Sequence, residues 1–276
     1  MTDKDAMIRA FSYAAIVLVL LVVWLPDAGA QIAPINVELS EPGKPMMLQV
    51  NILSAEIQVI GEKRDDVQIT ISGGGNGGRS IVTPSGVQTI DSGSYKMSAT
   101  ERNNTVNISS DWRMSAIGLV VRVPVSASLS VETTNNSTID IEGVAGEMQL
   151  QNVNGPITVK GAASSVIAES VNRTVDIAFA SLSNVSAVSL TSVNGDLFVG
   201  LPERPAVQLH IDTSRGKIAS DFDIDVQPSK PVVSRAEGNG KVEISIENLI
   251  IANINGGGPV VRLKTLNGDI QINRAP

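Results

Sequence analysis

Val261-Arg262-Leu263-Lys264-Thr265 and Ile270-Gln271-Ile272 alternate apolar and polar residues on either side of Leu266-Asn267-Gly268-Asp269. A side-chain period of two belongs to a strand and Asn-Gly marks a turn, so the stretch reads as strand, corner, strand. The same pattern surrounds Val193-Asn194-Gly195-Asp196-Leu197. No amphipathic helix of useful length appears beyond Pro34, which makes the chain all-β.

The pattern repeats. Aligned on the apolar residue after each corner, the copies give the column Ile157, Val175, Leu197, Ile218, Val242 and Ile270. Nine positions earlier stand Met148, Val166, Val188, Leu209, Val233 and Val261. Five before the anchor runs a mainly small polar column, Asn152, Ser170, Ser192, Thr213, Glu237 and Thr265; three before it come Asn154, Asn172, Asn194, Arg215, Asn239 and Asn267. A further copy around Asn136 and Ile139 fits with one inserted residue. The anchors from Ile139 onward are 18, 18, 22, 21, 24 and 28 residues apart, the spacing of a solenoid whose outer loops vary while each coil adds strands to parallel sheets.

The expected fold is therefore a single-domain parallel β-solenoid of about 18–28-residue coils over residues 31–276, with clear repeats at 123–276 and weak ones at 35–122. The weak copies lie at Ser54-Ala55-Glu56-Ile57 and Asn103-Asn104-Thr105-Val106, and the glycine-rich Ser72 to Gly78 reads as a flexible excursion. Arg235, Glu237 and Ser220 break the columns, so Asp221 to Gly240 reads as an excursion or a distorted coil. A rival reading takes each Asn-Gly as a type I′ hairpin turn in an antiparallel meander. It suits Asn194-Gly195 but asks Arg173 and Ser137 for a positive φ.

Composition narrows the function. The 276 residues include no cysteine and one histidine, which excludes disulfide frameworks, thiol catalysis and cysteine-based zinc sites. A net charge of −7 without clustered Lys and Arg disfavours nucleic acid. Met1 to Ala30 carries Lys4 and Arg9, an uncharged run from Ala10 to Leu25, and then Ala28-Gly29-Ala30. This reads as a signal peptide cleaved after Ala30. Asp3 and Asp5 offset the two basic residues, so an uncleaved membrane anchor is the alternative; membrane contact is expected only in that case.

Val123-Pro124, Leu129-Ser130-Val131-Glu132-Thr133, Val193-Asn194-Gly195-Asp196-Leu197 and Leu266-Asn267-Gly268-Asp269-Ile270 together resemble the bacterial adhesin-like family also called toastrack domains. The resemblance spans about Ile35 to Asn273 and is strongest from Val123 onward. It implies a β-solenoid exported to the periplasm or cell surface, with no established activity and no functional residue to carry over. Asn172-Arg173 and Arg215-Gly216 depart from the repeat at their corners.

Three groups invite chemistry. His210 lies on Leu209-His210-Ile211-Asp212, where alternation turns it outward on the face of Asp212; no Gly-x-Ser-x-Gly elbow supplies a serine, so it reads as a solvent-facing histidine. Asp221, Asp223 and Asp225 alternate with apolar residues and would form an acidic row on one face of a strand. It lacks the glycine and glutamate of a calcium loop and reads as a solvated edge. The asparagine column reads as a ladder of amides joining one coil to the next. Asp140, Asp176, Asp196 and Asp269 form no evident catalytic pair. No catalytic, cofactor-binding or metal residue is assigned and no cofactor is implied. The expected function is a non-catalytic exported envelope or surface interaction module, its partner an unidentified envelope protein or surface component; a carbohydrate-active β-helix hydrolase or lyase is the alternative.

Overall fold

A computed structural model describes residues 34–73, 80–82, 88–90, 97–110, 117–135, 137–228, 232–238, 241–247 and 249–275. The expected leader (1–30), Asn136, Asn239 and most of the glycine-rich excursion lie outside them. In chain order the strands are β1 (Ile35–Glu38), β2 (Met47–Ile52), β3 (Ala55–Glu62), β4 (Asp66–Gly73), β5 (Ser80–Val82), β6 (Gln88–Ile90), β7 (Met97–Arg102) and β8 (Thr105–Ser110). There follow β9 (Ile117–Pro124), β10 (Ser128–Thr133), β11 (Thr138–Glu142), β12 (Met148–Asn152), β13 (Ile157–Ser170), β14 (Val175–Ser192), β15 (Leu197–Leu201) and β16 (Val207–Thr213). The last are β17 (Ile218–Ser220), β18 (Asp225–Gln227), β19 (Val232–Gly238), β20 (Lys241–Glu247), β21 (Ile250–Ile254), β22 (Val260–Thr265) and β23 (Ile270–Arg274). The fold is all-β.

Nineteen strands form one sheet that contains two parallel ladders. The first runs β8, β2, β10, β12, the end of β13, the end of β14, β22 and β16. The second runs β9, β3, β11, the start of β13, the start of β14, β15, β23 and β17. Each first-ladder strand is followed in the chain by a second-ladder strand, so strand pairs stack. Apart from the copy at Val233 and Val242, the apolar columns point inward and merge into one core; Leu150, Leu190, Leu209, Leu263, Val199 and Ile272 are each at most 1% exposed. Burying each such side chain contributes roughly 1.5–3 kcal/mol.

The sheet is mixed rather than purely parallel. At one end β7 lies antiparallel on β8, β4 on β9 and β1 on β4; at the other, β21 lies antiparallel on β16 and β18 on β21. A bare parallel edge would expose a row of unpaired amides, and these strands cover β8 and β9 at one end and β16 at the other, while β17 pairs only with β23 among the described residues. The pairs also depart from chain order. Thr105–Pro124 stacks outside Met47–Glu62, and Val260–Arg274 is inserted between the Val188–Leu201 and Val207–Ser220 pairs.

Two sequence copies prove to be hairpins. Asn103 and Asn104 sit at φ 53° and 57° in the two-residue loop between antiparallel β7 and β8, the type I′ turn weighed for the other corners. Val233 and Val242 belong to β19 and β20, an antiparallel hairpin apart from the main sheet. In these two places near neighbours in sequence pair back on each other across a short loop, and local similarity to the repeat does not prevent this.

At the parallel corners the glycines answer a different need from the one turn chemistry suggests. None of Gly155, Gly195, Gly216 and Gly268 has a positive φ. A Cβ on Gly195 would instead lie 2.0 Å from the Arg173 carbonyl oxygen, and one on Gly268 2.1 Å from that of Gly195. The small polar column closes the same corners from inside. Ser192 Oγ accepts from Gly195 N at 2.9 Å and donates to Arg173 O at 3.2 Å, while Thr265 Oγ1 donates to Gly195 O at 3.0 Å. Thr213 repeats both bonds with Gly216 N and Gly268 O. The corner at Asn172-Arg173 forms despite its missing glycine, with a longer Arg173 N to Ser170 Oγ bond of 3.3 Å.

Candidate functional site

On the outward face of the first ladder a row of side chains passes from Gln49 through Gln149 and Ile167 to Arg262 and His210. Ile167 is 47% exposed in this otherwise polar row. Beside it β13 and β14 bulge between the two ladders, with register shifts from Lys160 to Val166. This brings Ser165 Oγ 2.8 Å from Ser186 Oγ and lets it accept from Ser186 N at 3.2 Å. The bulge and the row enclose a trough of about 710 Å³, lined by Met47, Ser130, Gln149, Ile167, Ser186 and Arg262 among others. Its lining comes from seven successive strands, β2 to β16, a reach of roughly 29 Å at the usual 4.8 Å spacing.

His210 faces outward at the end of this trough, as alternation requires. Its Nε2 lies 3.1 Å from Gln208 Oε1. Partial burial, and secondarily the charge of Arg262, hold its pKa below the usual histidine value, so it is neutral at pH 7. Asp212 shares the face but pairs with Lys264 Nζ at 3.1 Å. No serine–histidine–aspartate relay is assembled around it among the described residues.

The asparagine column forms the ladder expected of it. Asn172 Nδ2 donates to Asn154 Oδ1 at 2.7 Å, Asn194 Nδ2 to Asn172 Oδ1 at 2.9 Å, and Asn267 Nδ2 to Asn194 Oδ1 at 2.8 Å. Asn135 fills the rung below Asn154, with a longer contact of 3.5 Å. A parallel ladder missed in the sequence runs through the aspartates: Asp196 Oδ1 accepts from Asp269 N, and Asp269 Oδ1 from Lys217 N, both at 2.8 Å. These two acids therefore hold corners together. The repeated Asn-Gly-Asp was the available signal.

The expected row of Asp221, Asp223 and Asp225 does not form. β17 ends at Ser220, whose Oγ accepts from Phe222 N at 3.0 Å and donates to Phe222 O at 3.2 Å, bending the chain away. Asp221 Oδ2 accepts from Arg274 N at 3.1 Å and Asp225 Oδ2 from Gln227 Nε2 at 2.8 Å. Among the described residues no cluster of three or more His, Cys, Asp or Glu could hold a metal ion, and no helix is long and apolar enough to cross a membrane.

Asp140 and Asp176 share one outward row of the second ladder, separated by Thr158. Asp176 is exposed, and partial desolvation raises its pKa above the usual carboxylate value, partly offset by the charge of Lys160.

No family model matches the chain, and no curated protein matches it. Among solved structures, a "putative cell adhesion protein" from Clostridium sporogenes is similar to it at 10% sequence identity, with a TM-score of 0.43 over 89% of this chain and 99% of that one.

Proposed function

We propose that the chain is an exported, non-catalytic envelope or surface interaction module of the adhesin-like toastrack type, its two parallel ladders forming a solenoid body. Residues 1–30 direct export, and the module binds an envelope component through the outward faces of adjacent pairs. The observation that carries this reading is the trough, whose lining is drawn from seven successive strands. A long groove lined by five serines, Gln149 and the exposed Ile167, in which Glu147 is separated from His210 and Arg262 by β13 and β14, suits an extended partner, whereas catalysis calls for convergent titratable groups and exclusion of water.

The second reading, a carbohydrate hydrolase or lyase, draws on Asp140 and Asp176. Two strand spacings are about 9.6 Å, near the 6.5–9.5 Å between the carboxyls of inverting glycosidases. Incubating residues 31–276 with peptidoglycan and a polysaccharide panel, while measuring both retention and reducing-end release, separates the two. Retention without release is expected. Sustained release that Asp176→Asn abolishes would replace the module with the hydrolase.

A further inference from the structure

The second ladder carries a hollow of its own. Its outward row runs Lys160, Ala178, Gly200, Asn273, so a methyl group and a bare Cα stand between two long polar side chains. The gap from Lys160 to Asn273 covers three strand spacings, about 14 Å. The floor is closed tightly: a Cβ on Gly200 would lie 3.3 Å from Ala178 Cβ and 3.4 Å from Ala275 Cα. The neighbouring outward row supplies a wall containing Asp176 and Phe198. The resulting cavity measures about 410 Å³ and is lined by Phe198, Asp176, Lys160, Thr158, Asn273 and Arg274 over an apolar floor.

The charges in this hollow select a ligand class. Among the described residues, neither a hydrogen bond nor an ion pair reaches the Asp176 carboxylate. Lys160 stands diagonally across from it, one strand away. Arg274 is already engaged, donating to the carbonyls of Glu203 and Asp221 with its guanidinium 4.8 Å from the Phe222 ring centroid. An ammonium ligand drawn to Asp176 would meet Lys160, and a carboxylate drawn to Lys160 would meet Asp176. A hydroxyl suits both, since it donates to the carboxylate and accepts from the ammonium. Vicinal hydroxyls on a ring with an apolar face would also use Phe198 and the alanine–glycine floor.

We infer that the hollow formed by Phe198, Asp176, Lys160 and the Ala178–Gly200 floor is a binding subsite for a neutral pyranose. It lies on the other ladder from the trough and stands independently of the module reading. One aromatic ring and a shallow floor give millimolar affinity for a single sugar.

The test is saturation-transfer NMR on the full chain with methyl glucoside, methyl galactoside and N-acetylglucosamine at millimolar concentration, alongside ethylamine and acetate. Transfer is expected to at least one sugar and to neither charged probe. Ala178→Phe, which fills the hollow from its outward side and spares the core, should weaken binding by about tenfold or more, as should Phe198→Ala. Gln151→Ala on the first ladder should leave it unchanged. The melting transition of each variant reports whether it has folded. A hexasaccharide that binds more tightly than its monomer points to a passing polymer, and equal affinity points to a terminal or free sugar; both support the subsite. No transfer to any of the sugars, undiminished transfer in Ala178→Phe, or preference for ethylamine or acetate would overturn it.

Discussion

Leu190 lies in register with Leu263, and Ile211, its counterpart in the next repeat along the chain, lies on the far side of Leu263. The C-terminal strand pair is thus an inner layer of the stack. All three side chains are at most 2% exposed. Until residues 260–274 arrive, the Val207–Ser220 pair has no parallel partner in either ladder.

Removal of the C-terminal pair should therefore cost more than the loss of an end layer. Deleting residues 250–276 uncovers the Val188–Leu201 pair and leaves β16 and β17 unpaired, so the cooperative transition in denaturant should collapse or broaden. Leu263→Ala should cost about 2–5 kcal/mol, as for a fully enclosed leucine. An unchanged midpoint on truncation would contradict the inserted order.

The corner contacts make a second prediction. Gly195→Ala places a Cβ against the Arg173 carbonyl and should destabilise by about 1–3 kcal/mol despite the ordinary φ. Ser192→Ala leaves Gly195 N and Arg173 O without their buried partner and should cost a similar amount. Chemical denaturation checks both. If Gly195→Ala were neutral, the glycine would not be a packing requirement.

The alternation of Leu197 and Phe198 makes a third. Leu197 is fully buried, in register with Val175 and Ile270, while Phe198 points outward. Leu197→Asp puts an uncompensated charge into the core and should cost several kcal/mol, and Phe198→Asp far less. Equal losses of stability would defeat the register.

These cases show what periodicity can and cannot carry. The inward columns, the asparagine ladder and the outward position of His210 were legible because each depends only on side-chain alternation within one repeat. The place of Val260–Arg274 was not, since every repeat presents nearly the same faces and similarity cannot rank neighbours. Asn103-Asn104 resembled a corner because a type I′ turn and a stacked corner favour the same small residues. The trough and the hollow escaped for another reason. Each depends on what is small or missing in a row of several strands, and the residues that face one another there are far apart in the chain.

The dependence of stability on pH distinguishes the two ladders. His210 titrates below its unfolded value of about 6.5 when folded, so the unfolded chain binds more protons just below that pH. Its contribution is complete above about pH 6.5 and is lost as the pH falls through the folded value. Asp176 behaves oppositely: its folded value lies above the unfolded 3.8, so its contribution is complete below that pH and is lost as the pH rises through the folded value. Denaturant midpoints measured between about pH 4 and 7.5 should separate them. His210→Gln should reduce the loss seen on acidification below about pH 6.5, and Asp176→Asn should raise stability at neutral pH while changing little near pH 4. A neutral-pH loss on Asp176→Asn would mean that the carboxylate is stabilised by its surroundings, contrary to its partial desolvation and the lack of a hydrogen-bond partner in the hollow.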